Sequence, residues 1–159
     1  MNILKQIISF NYAKQILPFQ VLKKPNKISI LFPVEPHDFS AFIPSINLLK
    51  EKFKNVPMIG VTKSEYVPFL ESSKLFDEVI YYESRPIFLS RQFFRLRKKL
   101  RAVHTELSID FNISSDVLTW LTGADLRVGS QFSPFINYRI KLQPNETTDK
   151  LAKILCTGH

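Results

Sequence analysis

Short apolar runs alternate along this chain with longer stretches in which apolar residues recur at helical spacing. Ile28, Ile30, Leu31 and Phe32 form a β-prone run between Lys27 and Pro33. Such a run reads as an interior strand of a parallel sheet, because helices covering both faces remove the in/out alternation. Phe39, Phe42, Ile43, Ile46 and Leu49 then fall at three- and four-residue intervals, which places one apolar stripe on a helix. The same sequence of strand, turn and helix repeats downstream. A second strand is expected over 56–62. Ser64 can cap a helix built on Tyr66, Val67, Phe69 and Leu70, with Pro68 in its first turn. A third strand covers 76–82. The helix over 87–103 has Phe93, Leu96, Leu100 and Val103 on one face and Arg91, Arg95, Lys98, Lys99 and Arg101 on the other. A fourth strand follows over 107–111. Ser114 or Ser115 caps a helix through Val117, Leu118, Trp120 and Leu121, and Gly123 ends it in a left-handed conformation. A fifth strand covers 126–129, residues 130–142 read as aromatic and irregular, and 147–156 as a last helix.

Strands alternating with helices imply right-handed crossovers and a mostly parallel sheet, a Rossmann-like three-layer α/β sandwich. The domain is expected over 27–159. Residues 1–26 precede it as an amphipathic helix and a linker, with Ile3, Leu4, Ile7, Ile8 and Phe10 on one face. The opening helix is too short and interrupted to span a bilayer and lacks a cleavage signal. It packs on the domain or a neighbouring domain, or it lies on an anionic leaflet with Lys5, Lys14, Lys23, Lys24 and Lys27 toward the headgroups.

At 159 residues the chain has the length of one domain. With 22 basic against 14 acidic residues, a net charge of +8, it suits a polyanionic partner: nucleic acid, phosphorylated lipid or nucleotide. One cysteine, Cys156, excludes an internal disulfide and a cysteine-rich zinc site, and fits a cytoplasmic protein. Four glycines without GxGxxG or GxxxxGK[ST] argue against a dinucleotide turn or P-loop. His37, His104 and His159 have no metal-ligand spacing. Candidate chemistry concentrates instead in the turn after the first strand, which holds His37 and Asp38, because open α/β sheets bind ligands beyond the carboxyl ends of their strands.

The order of these segments resembles the N-terminal domain of glycosyltransferase family 9, the ADP-heptose:lipopolysaccharide heptosyltransferases. His37-Asp38 and the following helix with Pro44 resemble the family's Gly-Asp opening. Phe76-Asp77-Glu78-Val79, Leu107-Ser108-Ile109-Asp110 and the segment LTGADLRVG from Leu121 to Gly129 are similar to three of its later segments. The resemblance spans roughly 27–158. It implies one half of a GT-B fold, an inverting and metal-independent sugar transferase with no cofactor of its own. The nucleotide-sugar donor, ADP-heptose by resemblance, would be bound by a C-terminal domain that this chain does not contain. Asp38 would be the general base for the acceptor hydroxyl, because an alcohol attacks poorly until its proton has an acceptor. The other reading of Asp38 is an N-cap. His37 stands where the family has glycine, and no basic residue occurs in 112–115 after the fourth strand. Without the donor half, the chain alone is expected to be inactive.

Lys63 and Arg85 follow the second and third strands, on the rim where an acceptor would sit. Arg91, Arg95 and Lys98 offer either a solvated helix face or a docking surface for a phosphorylated glycolipid acceptor of the lipid A-Kdo type, or for an anionic membrane surface. Arg127 and Arg139 are weaker candidates of the same kind. Two other classes compete. A non-catalytic subunit derived from such an enzyme would either stand alone or use Phe132, Phe135 and Tyr138 as a contact surface for a partner domain, such as a C-terminal GT-B half in trans. A nucleic-acid-binding module would use the basic helix, but lacks the aromatic and basic interleaving of an RNA module. Residence at the inner face of the inner membrane would follow from either lipid contact.

Overall fold

The computed structural model describes residues 25–32, 42–84, 87–111 and 116–129, together with 133, 135, 136, 138, 139 and 156. The expectations for the opening helix, the 112–115 turn and the last helix apart from Cys156 lie outside the described residues. Six strands form one sheet: β1 (Ile28–Leu31), β2 (Met58–Lys63), β3 (Glu78–Tyr82), β4 (Leu107–Asp110), β5 (Leu126–Gly129) and β6 (Tyr138–Arg139). Their order is β3-β2-β1-β4-β5-β6, and every pairing is parallel. Between them lie α1 (Ile43–Lys52), a 3-10 turn at Ser64–Tyr66, α2 (Val67–Ser73), α3 (Arg91–Ala102) and α4 (Asp116–Thr122). The Rossmann-like sandwich expected from periodicity is the architecture found.

The two sides of the sheet are visible in the alternation of its strands. Ile28, Ile30 and Phe32 pack with Met58, Leu107, Ile109 and Phe111 against Ile46 and Leu49 of α1 and Leu70 of α2. Leu31, Ile59, Val61 and Ile80 face the other way, onto Phe93, Leu96 and Leu100 of α3 and Leu118 and Leu121 of α4. Every residue of β1 and β4 is buried. That is the condition for a central parallel strand: β1 carries no simple polar alternation, and in β4 the polar Ser108 and Asp110 are buried along with Leu107 and Ile109. Glycine is needed at Gly60 because a Cβ there would stand 2.8 Å from Leu70 Cδ2 and 3.2 Å from the Phe76 ring. Gly123 ends α4 at φ +72°, the expected left-handed cap.

Three boundaries differ from the sequence reading. Helix α1 starts at Ile43, with Phe42 in the N-cap position, a side chain that cannot cap. Helix α3 starts at Arg91 rather than 87, because the Ser90 hydroxyl accepts the Phe93 N–H at 3.1 Å and fixes the first turn there. Within the stretch read as irregular, Tyr138–Arg139 pairs with β5 as a sixth strand. Aromatics assigned to a partner surface are also engaged internally: the Phe135 ring lies 5.8 Å from Trp120, and Tyr138 packs on the core. Phe132 lies outside the described residues.

Candidate functional site

The carboxyl ends of all the strands lie along one edge of the sheet, and the order reverses direction between β1 and β4. Such a reversal opens a crevice at that edge. Leu31 and Asp110, the last residues of the two strands, are register partners there. Just beyond β1, Phe32 meets Phe42 edge-on with ring centroids 6.2 Å apart. Phe42 in turn lies 5.7 Å from Phe111, which follows β4. Three rings thus bring the end of β1, the end of β4 and the start of α1 together. The connection between Phe32 and Phe42 leaves and rejoins the described structure at this crevice. It carries His37 and Asp38, which themselves lie outside the described residues, as does Arg85.

Asp110 is buried on the helix side of this point, and its Oδ2 accepts a hydrogen bond from Thr119 Oγ1 of α4 at 2.7 Å. The carboxylate therefore couples the crevice to the helix that follows it. One strand away, Lys63 ends β2. Its ammonium donates to Glu65 Oε1 at 3.0 Å. That bond, with a second from Tyr66, holds the Glu65 carboxyl below its usual range. Lys63 is thus on the rim, as its position after the strand implied, with its charge already matched.

Beside β3 the rim opens into a cleft of about 300 Å³ between the edge strand and α3, lined by Tyr81, Tyr82, Glu83, Ser84, Gln92, Arg95, Leu96 and Lys99. This is the lower end of ligand-sized cavities. Lys99 Nζ stands 5.4 Å above the Tyr81 ring, and Ser84 donates to Gln92 at 3.3 Å. Of the basic residues on α3, Arg95 and Lys99 line the cleft and Arg91 and Lys98 do not, while all four are exposed. Two cations among hydroxyl, amide and carboxylate groups suit a hydroxylated, anionic ligand. The cleft was not legible as such, since β3 and α3 meet only through the fold; Ser84 and Gln92 carried no sequence signal.

Arg127 has a structural duty. Its Nε donates to Phe135 O and its Nη1 to Ala124 O, both at 2.7 Å, and burial lowers its pKa while Asp125 opposes that shift. It ties the turn before β5 to the segment that leads into β6. Arg139 belongs to β6 by its backbone.

Among solved structures, the glycosyl transferase family 9 protein from Veillonella parvula DSM 2008 superposes with a TM-score of 0.65 at 17% identity, over 80% of this chain and 39% of that one. The chain shares its fold with a family 9 glycosyltransferase. A second match is the E. coli ADP-heptose LPS heptosyltransferase II, with a TM-score of 0.51 at 17% identity, over 65% of this chain and 30% of that one. The chain therefore spans well under half the length of either structure. No family model and no curated protein sequence matches it. The strand order and the crevice between β1 and β4 are the features this shared fold accounts for. Among the described residues, no helix is long and apolar enough to cross a membrane.

Proposed function

We propose that this chain is the acceptor-binding half of an inverting, metal-independent glycosyltransferase of the lipopolysaccharide-core heptosyltransferase type. The observation that carries the reading is the convergence of Phe32, Phe42 and Phe111 at the strand-order reversal, which anchors both ends of the segment holding Asp38. The shared fold with the family 9 structure supports it.

In this reading Asp38 accepts the proton of an acceptor hydroxyl. The oxygen then forms a bond to the anomeric carbon of the donor sugar as the bond to the nucleotide diphosphate breaks. Attack opposite the leaving group inverts the anomeric configuration, and the diphosphate departs with the bonding pair. A carboxylate meets the requirement because it is ionised at neutral pH and has no proton of its own to lose. Lys63 and the cleft cations Arg95 and Lys99 would bind acceptor phosphates. The donor, an ADP-sugar, would be held by a second domain.

The test is a transfer assay on the chain joined to a family donor-binding half, with ADP-heptose and a lipid A-Kdo acceptor. Asp38→Asn is expected to lower turnover by about 10²–10⁴-fold while acceptor binding persists. Equal turnover by the native and Asp38→Asn chains would sink the assignment of the base. Failure of both native chain and fusion to bind the acceptor would sink the acceptor-half reading.

A further inference from the structure

The sequence RQFFRLRKKLRA of α3 contains no acidic residue. Phe93, Leu96 and Leu100 turn one face into the core. Arg91, Arg95 and Lys98 occupy the opposite face at three- and four-residue spacing, and all are exposed. Phe94 stands among these cations with 48% of its surface exposed. An aromatic ring in the middle of a solvated basic face gains nothing from water.

The turn leading into the helix extends this pattern. Ile87 and Leu89 are 77% and 62% exposed, and Phe88 is 47% exposed. Ser90 N donates to Ile87 O at 3.0 Å, and the Phe88 ring sits edge-on to Phe93 at 5.2 Å, so the turn is fastened to the helix it precedes. Leu89 holds φ at 65°, a left-handed conformation that a leucine adopts only against a steric cost. The result is an apolar tip beside a helix face whose charges are all basic.

We infer that the Ile87–Leu89 turn and the outer face of α3 form a docking surface for an anionic lipid bilayer. Ile87, Leu89 and Phe94 enter the boundary between headgroups and acyl chains, while Arg91, Arg95 and Lys98 keep their stems along the apolar layer and their charges at lipid phosphates. The two components together select this occupant. Nucleic acid would match the cations and leave Ile87 and Leu89 in water; a neutral apolar partner would desolvate three cations without compensation. The surface adds a partner to the transferase reading without depending on it, since bilayer contact requires no sugar acceptor.

Sedimentation of the full chain with vesicles tests this. Vesicles of phosphatidylglycerol and phosphatidylethanolamine should carry the native chain down, those of phosphatidylcholine should not, and molar salt should release it. Arg91→Gln and Lys98→Gln should each weaken partitioning about fivefold. Ile87→Ser with Leu89→Asn should weaken it about tenfold or more. Asparagine suits the left-handed position, so circular dichroism melts of this variant should match or exceed the native melt. Three results overturn the proposal: a native chain that stays in the supernatant, equal binding to phosphatidylcholine, or native-like sedimentation of both the charge and the apolar-tip variants. Concentration-dependent self-association lost in Leu89→Asn would also overturn it, by giving the face to a second copy of the chain.

Discussion

Thr119 Oγ1 in α4 donates to Asp110 Oδ2 at the carboxyl end of β4, a 2.7 Å bond between two buried residues. A hydrogen bond between two buried groups contributes more than one at the surface, because water cannot take the place of the lost partner. Thr119→Val keeps the shape and removes the donor. It is expected to destabilise the chain by about 2 kcal/mol, read as a lower urea midpoint at unchanged m-value. Thr119→Ser should retain most of the native midpoint. Equal midpoints for native and Thr119→Val would show that the other interactions of Asp110 suffice.

Gly60 provides a second test, this time of close packing. The added methyl of Gly60→Ala would press on Leu70 and Phe76, and Leu70 is fully enclosed. Overpacking costs about 1–3 kcal/mol, against which the lost chain entropy of glycine returns about 0.4–1 kcal/mol. The net expectation is destabilisation of about 1 kcal/mol. Combining it with Leu70→Val should give less than the sum of the two single effects in a double-mutant cycle. Strict additivity would mean that the contact relaxes elsewhere.

Cys156 allows a pH test with a definite sign. Its thiol donates toward Leu48 O at 3.5 Å, on the α1 side of the sheet. Burial pushes its pKa up, and the nearby Lys52 only partly offsets that. The folded chain therefore keeps the thiol proton in a range where the unfolded chain has lost it. Its contribution to stability is present below the ordinary thiol value of about 8.5 and is lost as pH rises through the higher folded value. Denaturation midpoints from pH 7.5 upward should fall more steeply for the native chain than for Cys156→Ala. Parallel profiles would assign the alkaline loss to other groups.

The interior strands were legible because burial on both faces leaves a local trace, a short β-prone apolar run that is uncharged in β1 and carries a charge only at its last residue in β2 and β4. The face of α3 was legible for the same reason, as Phe93, Leu96 and Leu100 repeat with the helix. Its start was misplaced because Ile87, Phe88 and Leu89 continue the apolar count, whereas Ser90 decides the boundary through a bond to Phe93. No local signal marks β6. Tyr138 and Arg139 become a strand only because Val128 and Gly129 lie alongside.

At the site, periodicity put Lys63 at the carboxyl end of the second strand, where β2 ends. It could not foresee Glu65 as the partner of that lysine, nor the meeting of Phe32, Phe42 and Phe111, since these depend on strand order rather than neighbouring residues. Phe135 was read as surface for a related reason. Its shelter comes from Trp120, a residue remote in sequence and adjacent in the sheet's outer layer.

The placement of β1 between β2 and β4 has a consequence for the chain as it leaves the ribosome. One flank of β1 can zip up as soon as Met58–Lys63 emerges, but the other must await Leu107–Asp110. At roughly 5–20 residues per second that interval lasts several seconds. During it the most apolar strand of the sheet presents an unpaired backbone edge, and the nascent chain offers chaperones a defined target.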